Sequence, residues 1–195
     1  MENVPLTMPP YPGPAPAIPA VTETLRAQAA RQRGGYVYAI DPYFDADGAV
    51  PPYGIVGGWS VDEEGRLVTF SHNPNYRPSP VALEFPAPPT PLDAAMQKAV
   101  TGYAGEAELL AAFREATLML FAQEGQQGLY TVTEDDGSRY VPAFTHPTHT
   151  PDSWHQWHHT QGQQLAAAGV PVRLNPGHRL SLTIPAEALR QVGGG

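Results

Sequence analysis

The sequence predicts an α+β fold, a mainly antiparallel mixed sheet with helices packed on it, and three observations support this. Short runs rich in aromatic and β-branched residues recur along the chain, several of them flanking turn residues in the manner of hairpins. Between these runs lie stretches whose apolar residues are spaced as on one face of a helix. No segment repeats at a fixed interval and no run reaches about 18 apolar residues, so neither a solenoid nor a membrane-spanning helix is expected.

Composition narrows the function classes. The chain has 195 residues, 19 acidic against 11 basic side chains, a formal net charge of −8 and 23 prolines. That length suits one domain with room for an appendage. Cysteine is absent, which excludes a disulfide scaffold, a thiolate metal site and a catalytic thiol, while leaving the redox compartment open. Lys98 is the single lysine, and an acidic chain without clustered cations is a poor match for a phosphate backbone. Nucleic acid is therefore not an expected partner. Met1 to Pro19 has neither the basic segment nor the apolar stretch of a signal peptide, so export by the general route is not expected.

The elements follow in order. Residues 1–20 carry Pro5, Pro9, Pro10, Pro12, Pro14, Pro16 and Pro19, and read as a disordered proline-rich arm. The folded domain is expected over 21–192, with a front part at 36–90 and a back part at 91–192. Val21, Leu25 and Ala29 predict a helix to Arg33, with Thr22 or Thr24 as cap and Gly34-Gly35 as its stop. Tyr36 to Ile40 reads as a strand ending at Asp41-Pro42. Gly54 to Val61 and Arg66 to Phe70 flank Asp62-Glu-Glu-Gly65, a hairpin pattern. Asn73 to Pro80 is forced into an extended path because residues preceding proline leave the helical region, and a long surface connection to Pro91 is expected.

At Thr90 a helix signal appears, with Pro91 at the first helical position and Asp93 three residues past the cap. A second helix follows from Glu106, presenting Leu109, Leu110 and Phe113. Thr117 to Gln123, Leu129 to Glu134 and Arg139 to Thr145 read as strands of a meander. Ser153, with Gln156 three residues on, predicts a helix carrying Trp154, Trp157, Leu165 and Ala168 up to Gly169. Val170 to Leu174 and Leu180 to Ile184 form a hairpin, a short helix runs from Pro185 through Val192, and 193–195 is a frayed glycine tail.

Several constellations invite a chemical reading. His146-x-x-His149 precedes His155-x-x-His158-His159, and on a helix the latter group would share one side, so His146, His149, His155 and His158 form the alternative metal site, with Asp152 as a further ligand. The glutamate that a helical zinc protease needs beside its first histidine is missing at Gln156. Asp45-x-Asp47-Gly48 lacks the first and last ligands of a calcium loop, which fall on Tyr43 and Gly54. The acidic pairs near Glu63 and Asp135 sit in turns, where they are solvated rather than tuned for proton transfer. Gly54-x-x-Gly57-Gly58 has no following lysine, and Ser71-His72 has no nucleophile elbow. The expectation is a protein that is not an enzyme and uses no cofactor. Aromatic residues crowd one stretch full of turns instead, and Tyr53, Trp59, Tyr76 and Arg77 are the expected partner-binding residues, because tyrosine, tryptophan and arginine dominate recognition hot spots.

Two sets of motifs carry a family resemblance. Tyr140-Val-Pro-Ala-Phe-Thr145, Val172-Arg-Leu-Asn-Pro-Gly177 and Leu180-Ser-Leu-Thr-Ile184 resemble the SseB family, with His146 where that family usually has serine. Upstream, Ile40-Asp-Pro, Asp47-Gly, Gly54-Ile-Val-Gly-Gly-Trp59, Asn73-Pro-Asn-Tyr-Arg-Pro-Ser79 and Pro91-Leu-Asp93 are similar to the front half of actinobacterial type VII secretion system-associated proteins, whose back half is SseB-like. The resemblance spans about Gly35 to Val192, and the order of the motifs supplies its specificity. It implies an SseB-like α+β domain without established catalysis and an accessory role beside the secretion machinery. The chain does not resemble a secreted substrate: Trp59-Ser-Val61 lacks the glycine of a Trp-x-Gly turn, and Tyr130-x-x-x-Glu134 falls within an expected strand. A cytoplasmic location and a protein partner, a secretion component or substrate, are the expectation. An immunity protein whose acidic surface neutralises a basic toxin, and a histidine-based metal enzyme, are the alternatives.

Overall fold

The computed structural model describes residues 17–122, 125 and 128–193. Most of the expected proline-rich arm, residues 1–16, lies outside the described residues, as do 194–195 of the glycine tail. The chain divides into two compact units, one ending at Pro86 and the other beginning at Ala87.

In the front unit, helix α1 (Glu23–Arg31) is capped by the Thr22 side chain, which accepts from Leu25 N at 3.2 Å. Three antiparallel strands follow in the order β1 (Tyr36–Ile40), β2 (Ile55–Val61) and β3 (Leu67–His72). Because side chains alternate along a strand, Val37 and Ala39 are buried while Tyr36 and Tyr38 are 52% and 56% exposed on the opposite face. Ala29 of α1, Val37 and Val61 form the small core, with Leu25 and Leu67 packed against it. The turn before β3 requires glycine: Gly65 has φ +83°, and a Cβ there would lie 2.9 Å from Ala30 Cα. From Asn73 to Thr90 the chain contains no helix or strand, as expected of the proline-rich connection.

The back unit opens with α2 (Pro91–Thr101) and α3 (Glu106–Glu115). Its strands are β4 (Thr117–Phe121), β5 (Val132–Thr133), β6 (Arg139–Phe144), β7 (Trp157–Gln161), β8 (Val172–Leu174) and β9 (Leu182–Ile184), with α4 (Gly162–Ala166) after β7 and α5 (Ala186–Gly193) at the end. The sheet order is β7-β4-β6-β8-β9, and β5 pairs with β6. Only β6 and β8 run parallel, so the sheet is mixed but mainly antiparallel and the fold is α+β. Leu118, Leu120, Val141, Ala143, Leu174 and Ile184 line the core together with Met96, Phe113 and Leu189 from the helices. Phe121, Phe144, Trp154, Trp157 and Tyr130 form an aromatic cluster, with Phe121 and Trp157 stacked at 5.2 Å.

Two expectations are corrected here. The helix expected after Ser153 is instead strand β7, and only Gly162 to Ala166 is helical. The unpaired edge of β4 offers a ladder of backbone groups, and the Phe121–Trp157 pair rewards an extended conformation that local spacing does not reveal. The strand expected at Leu129 to Glu134 shrinks to Val132–Thr133, so Tyr130 stands outside it. The cap at Thr90 is as expected: its hydroxyl accepts from Asp93 N at 3.1 Å and donates to Asp93 Oδ2 at 2.6 Å.

Candidate functional site

The expected binding residues are organised by one buried carboxylate. Asp41, just past the end of β1, is fully buried. Its Oδ1 accepts from Tyr43 N at 2.9 Å and from Ser79 Oγ at 2.6 Å. Its Oδ2 accepts from the Tyr76 hydroxyl at 2.8 Å and from Ser79 N at 3.0 Å. Four donors converging on one carboxylate satisfy a buried charge and pin the loop after β3 against the end of β1. Asn73 ties the same loop to the other side, donating through Nδ2 to Pro52 O at 2.7 Å and Ile55 O at 2.8 Å. Arg77 is thereby held over the Tyr53 ring, 5.7 Å from its centre, and Arg77 N donates to Tyr53 O at 3.0 Å.

Tyr53, Tyr76 and Arg77 therefore belong to one loop cluster. Trp59 does not join them. It sits opposite Phe70 across β2 and β3, with ring centres 5.1 Å apart, on the face turned toward α1. The opposite face of the sheet carries an open groove of about 360 Å³, lined by Tyr36, Tyr38, Pro52, Ile55, Ser71 and Asn73 over a floor of Gly57 and Gly58. A Cβ on Gly58 would sit 3.3 Å from Tyr38 Cδ1, so the missing side chain leaves room for that ring beside the strand. The structure thus adds Tyr36 and Tyr38 to the candidate surface, and their alternation with buried Val37 and Ala39 was the signal in the sequence.

A second buried network lies in the back unit. Asp93, Thr145 and Asn175 are all buried. The Thr145 hydroxyl donates to Asp93 Oδ1 at 2.8 Å and accepts from Asn175 Nδ2 at 2.9 Å, while Thr145 N donates to Asn175 Oδ1 at 2.9 Å. Asn175 adopts φ +48°, a left-handed position that asparagine tolerates better than most residues. His149 Nδ1 lies 2.9 Å from Thr145 Oγ1 and 3.7 Å from Asp93 Oδ1. Burial pushes the His149 imidazole below its ordinary pKa; the Asp93 charge opposes this, and His178 and His146 reinforce it.

The four histidines of the alternative metal site do not converge, which corrects the reading that placed His155, His158 and His159 on one side of a helix. His146 and His149 are neighbours, with ring centres 6.2 Å apart, and His178 joins His149 at 5.0 Å. His155 precedes β7, and His158 and His159 are successive strand residues opposite Leu120 and Met119, so they face opposite ways. Among the described residues no group of three or more histidine, aspartate or glutamate side chains is placed to hold a metal ion.

Both buried networks are built from the motif residues quoted above: Asp41, Tyr76 and Ser79 in one, Asp93, Thr145 and Asn175 in the other. The sequence model of the SseB protein N-terminal domain matches residues 92–191. The chain belongs to the SseB family. In this SseB-family protein the matched region covers α2 through most of α5, including the whole Asp93–Thr145–Asn175 network. Neither the curated proteins nor the solved structures contain a match to the chain. Among the described residues no helix is long and apolar enough to cross a membrane.

Proposed function

We propose that this SseB-family protein is a non-enzymatic, cytoplasmic accessory protein of type VII secretion that holds an extended segment of a secretion substrate. The observation that carries the reading is the tyrosine-walled, glycine-floored groove beside the Asp41-anchored loop. Exposed tyrosines supply large apolar area at a low entropic cost and keep a hydroxyl for the peptide backbone, which suits recognition of an extended chain. The secretion context comes from the upstream motifs, Asn73 to Ser79 among them, that resemble type VII secretion system-associated proteins.

Calorimetric titration of the full chain with a purified helical-pair substrate from the same secretion locus tests this. Saturable binding is expected, weakened roughly tenfold or more by the Tyr36→Ala/Tyr38→Ala pair at unchanged melting temperature, as hot-spot tyrosines require. Equal binding by that variant, or no binding by any substrate of the locus, refutes it.

A further inference from the structure

The tyrosine groove offers a ligand hydroxyls and little else that is polar. Its floor, Gly57 and Gly58, pairs with β1 on one side and β3 on the other, so the backbone groups of the floor are taken up by the two ladders. Asn73 is committed as well: its Nδ2 donates to Pro52 O and Ile55 O, and its Oδ1 accepts from Asn75 N. The side chains of Tyr36, Tyr38 and Ser71, by contrast, make no hydrogen bond among the described residues. Hydroxyls able to donate thus stand around an apolar trough formed by Pro52, Ile55 and the two rings.

Such a site suits a segment that brings carbonyls and few N–H groups. A strand added to a sheet edge finds ladder partners, which the face of a sheet does not have. A polyproline II segment needs none: its carbonyls are free to accept, its proline nitrogens carry no hydrogen, and its rings pack against aromatic side chains. This chain has a segment of that composition. Residues 1–16 carry Pro5, Pro9, Pro10, Pro12, Pro14 and Pro16. They lead into the front unit, where Val21 lies beside Trp59 and Leu67 on the α1 face. Sixteen residues in polyproline II span about 50 Å. Crossing the width of a three-stranded sheet and passing its depth takes roughly 25 Å, so several residues are left for the groove on the other face.

We propose that the proline-rich segment at residues 5–16 docks in the tyrosine groove of its own chain, its carbonyls accepting from the Tyr36, Tyr38 and Ser71 hydroxyls, and so guards the groove against a partner. The docking rests on the groove being a peptide site, as proposed above, and turns partner binding into a competition with the arm. A short tether supplies an effective concentration on the order of millimolar, so a segment of modest affinity is enough to fill the groove.

Because the chain has no cysteine, Thr7→Cys gives a single attachment point for a nitroxide label on the full chain. With the label oxidised, the ¹H–¹⁵N signals of Gly57 and Gly58 should lose at least about half the intensity they have with it reduced, as majority occupancy by a tethered segment requires. Tyr36→Ala/Tyr38→Ala and, separately, Pro9→Ser/Pro10→Ser/Pro12→Ser should restore that intensity. The serine variant should also bind the secretion substrate about twofold tighter or more, the gain expected when the arm covers the groove at least half of the time. No loss at Gly57 and Gly58, or an equal loss in the tyrosine variant, overturns the docking, and unchanged substrate affinity in the serine variant overturns the guarding role. Labelled protein mixed with unlabelled ¹⁵N-protein should leave the signals intact; a loss there puts the arm of a second copy in the groove and overturns docking within one chain. The spectra contain no substrate, so the two readings fail separately: a silent label beside a substrate that binds overturns the docking alone, and a substrate that never binds beside a clear label effect overturns the substrate reading alone.

Discussion

Replacing Asp41 by alanine removes the acceptor of four hydrogen bonds at once, and the structure says which of them matter. Ser79 is fully buried, so its N–H and Oγ–H lose a charged acceptor and have no water to turn to. Tyr43 N and the Tyr76 hydroxyl lie in partly buried contacts, where water can replace the carboxylate. Counting only the two Ser79 bonds at about 1.5–3 kcal/mol each gives about 3–6 kcal/mol. Deleting the carboxylate also abolishes the cost of burying its charge, so the low end, about 3 kcal/mol, is expected. Tyr76→Phe removes one partly exposed bond and should cost about 1 kcal/mol. Native-state hydrogen exchange at the β1–β3 amides reads the front unit by itself. A loss of about 3 kcal/mol corresponds to exchange roughly 100-fold faster through global opening. A change below about threefold in Asp41→Ala would mean that the loop from Asn73 to Ser79 is held by something other than this carboxylate.

The other expectations concern the back unit. A Cβ at Gly162 would lie 1.8 Å from the Phe113 carbonyl oxygen, which is backbone and cannot swing aside, so Gly162→Ala should cost more than about 2 kcal/mol in urea unfolding; a loss under about 0.5 kcal/mol would show that α3 and α4 can separate freely. Asn175→Ala strands the buried Thr145 N–H and puts a Cβ-only side chain at φ +48°, for an expected loss of about 3 kcal/mol, checked by the same unfolding curves against Asn175→Gly, which retains the φ tolerance but not the bonds. For His149 the sign is set by burial. The folded chain binds its proton less readily than the unfolded chain, whose histidine titrates near 6.5, so this ring's contribution is intact above that value and is lost as pH falls below it. Melting temperatures at about pH 7.5 and about pH 5.5 should therefore converge in His149→Gln, and an undiminished drop in the variant would place the acid sensitivity elsewhere.

Legibility followed the range of the forces involved. Helix α2 was readable because its signals are local: Thr90, Pro91 and Asp93 lie within four positions of one another, and each acts on the first turn. The alternation of Tyr36, Val37, Tyr38 and Ala39 was equally local and carried strand β1 with it. Residues 153–161 misled for the opposite reason. Their cap signal is real in isolation, yet their backbone pairs with β4, some forty residues earlier in the chain, and that edge is invisible to any window of sequence. The histidines were mis-grouped as a direct consequence, since a helix gathers positions three and four apart and a strand scatters them.

The candidate site was half legible. Tyr53, Tyr76 and Arg77 do assemble, but the group that assembles them, Asp41, reads in sequence as no more than the end of a strand. Its role depends on Ser79, 38 residues away, arriving with both of its donors. Asp93 is similar: its cap role is local and was foreseen, whereas its second oxygen meets Thr145 across 52 residues. The sequence by itself determined the α+β class, most helix and strand positions and the family, because periodicity, caps and motif order are written along the chain. Only the tertiary structure decided which motif residues became buried clamps, which aromatic faces were left to solvent, and that among the described residues Trp59 alone kept a buried side-chain donor without a partner, because burial and hydrogen-bond satisfaction exist only once distant segments have met.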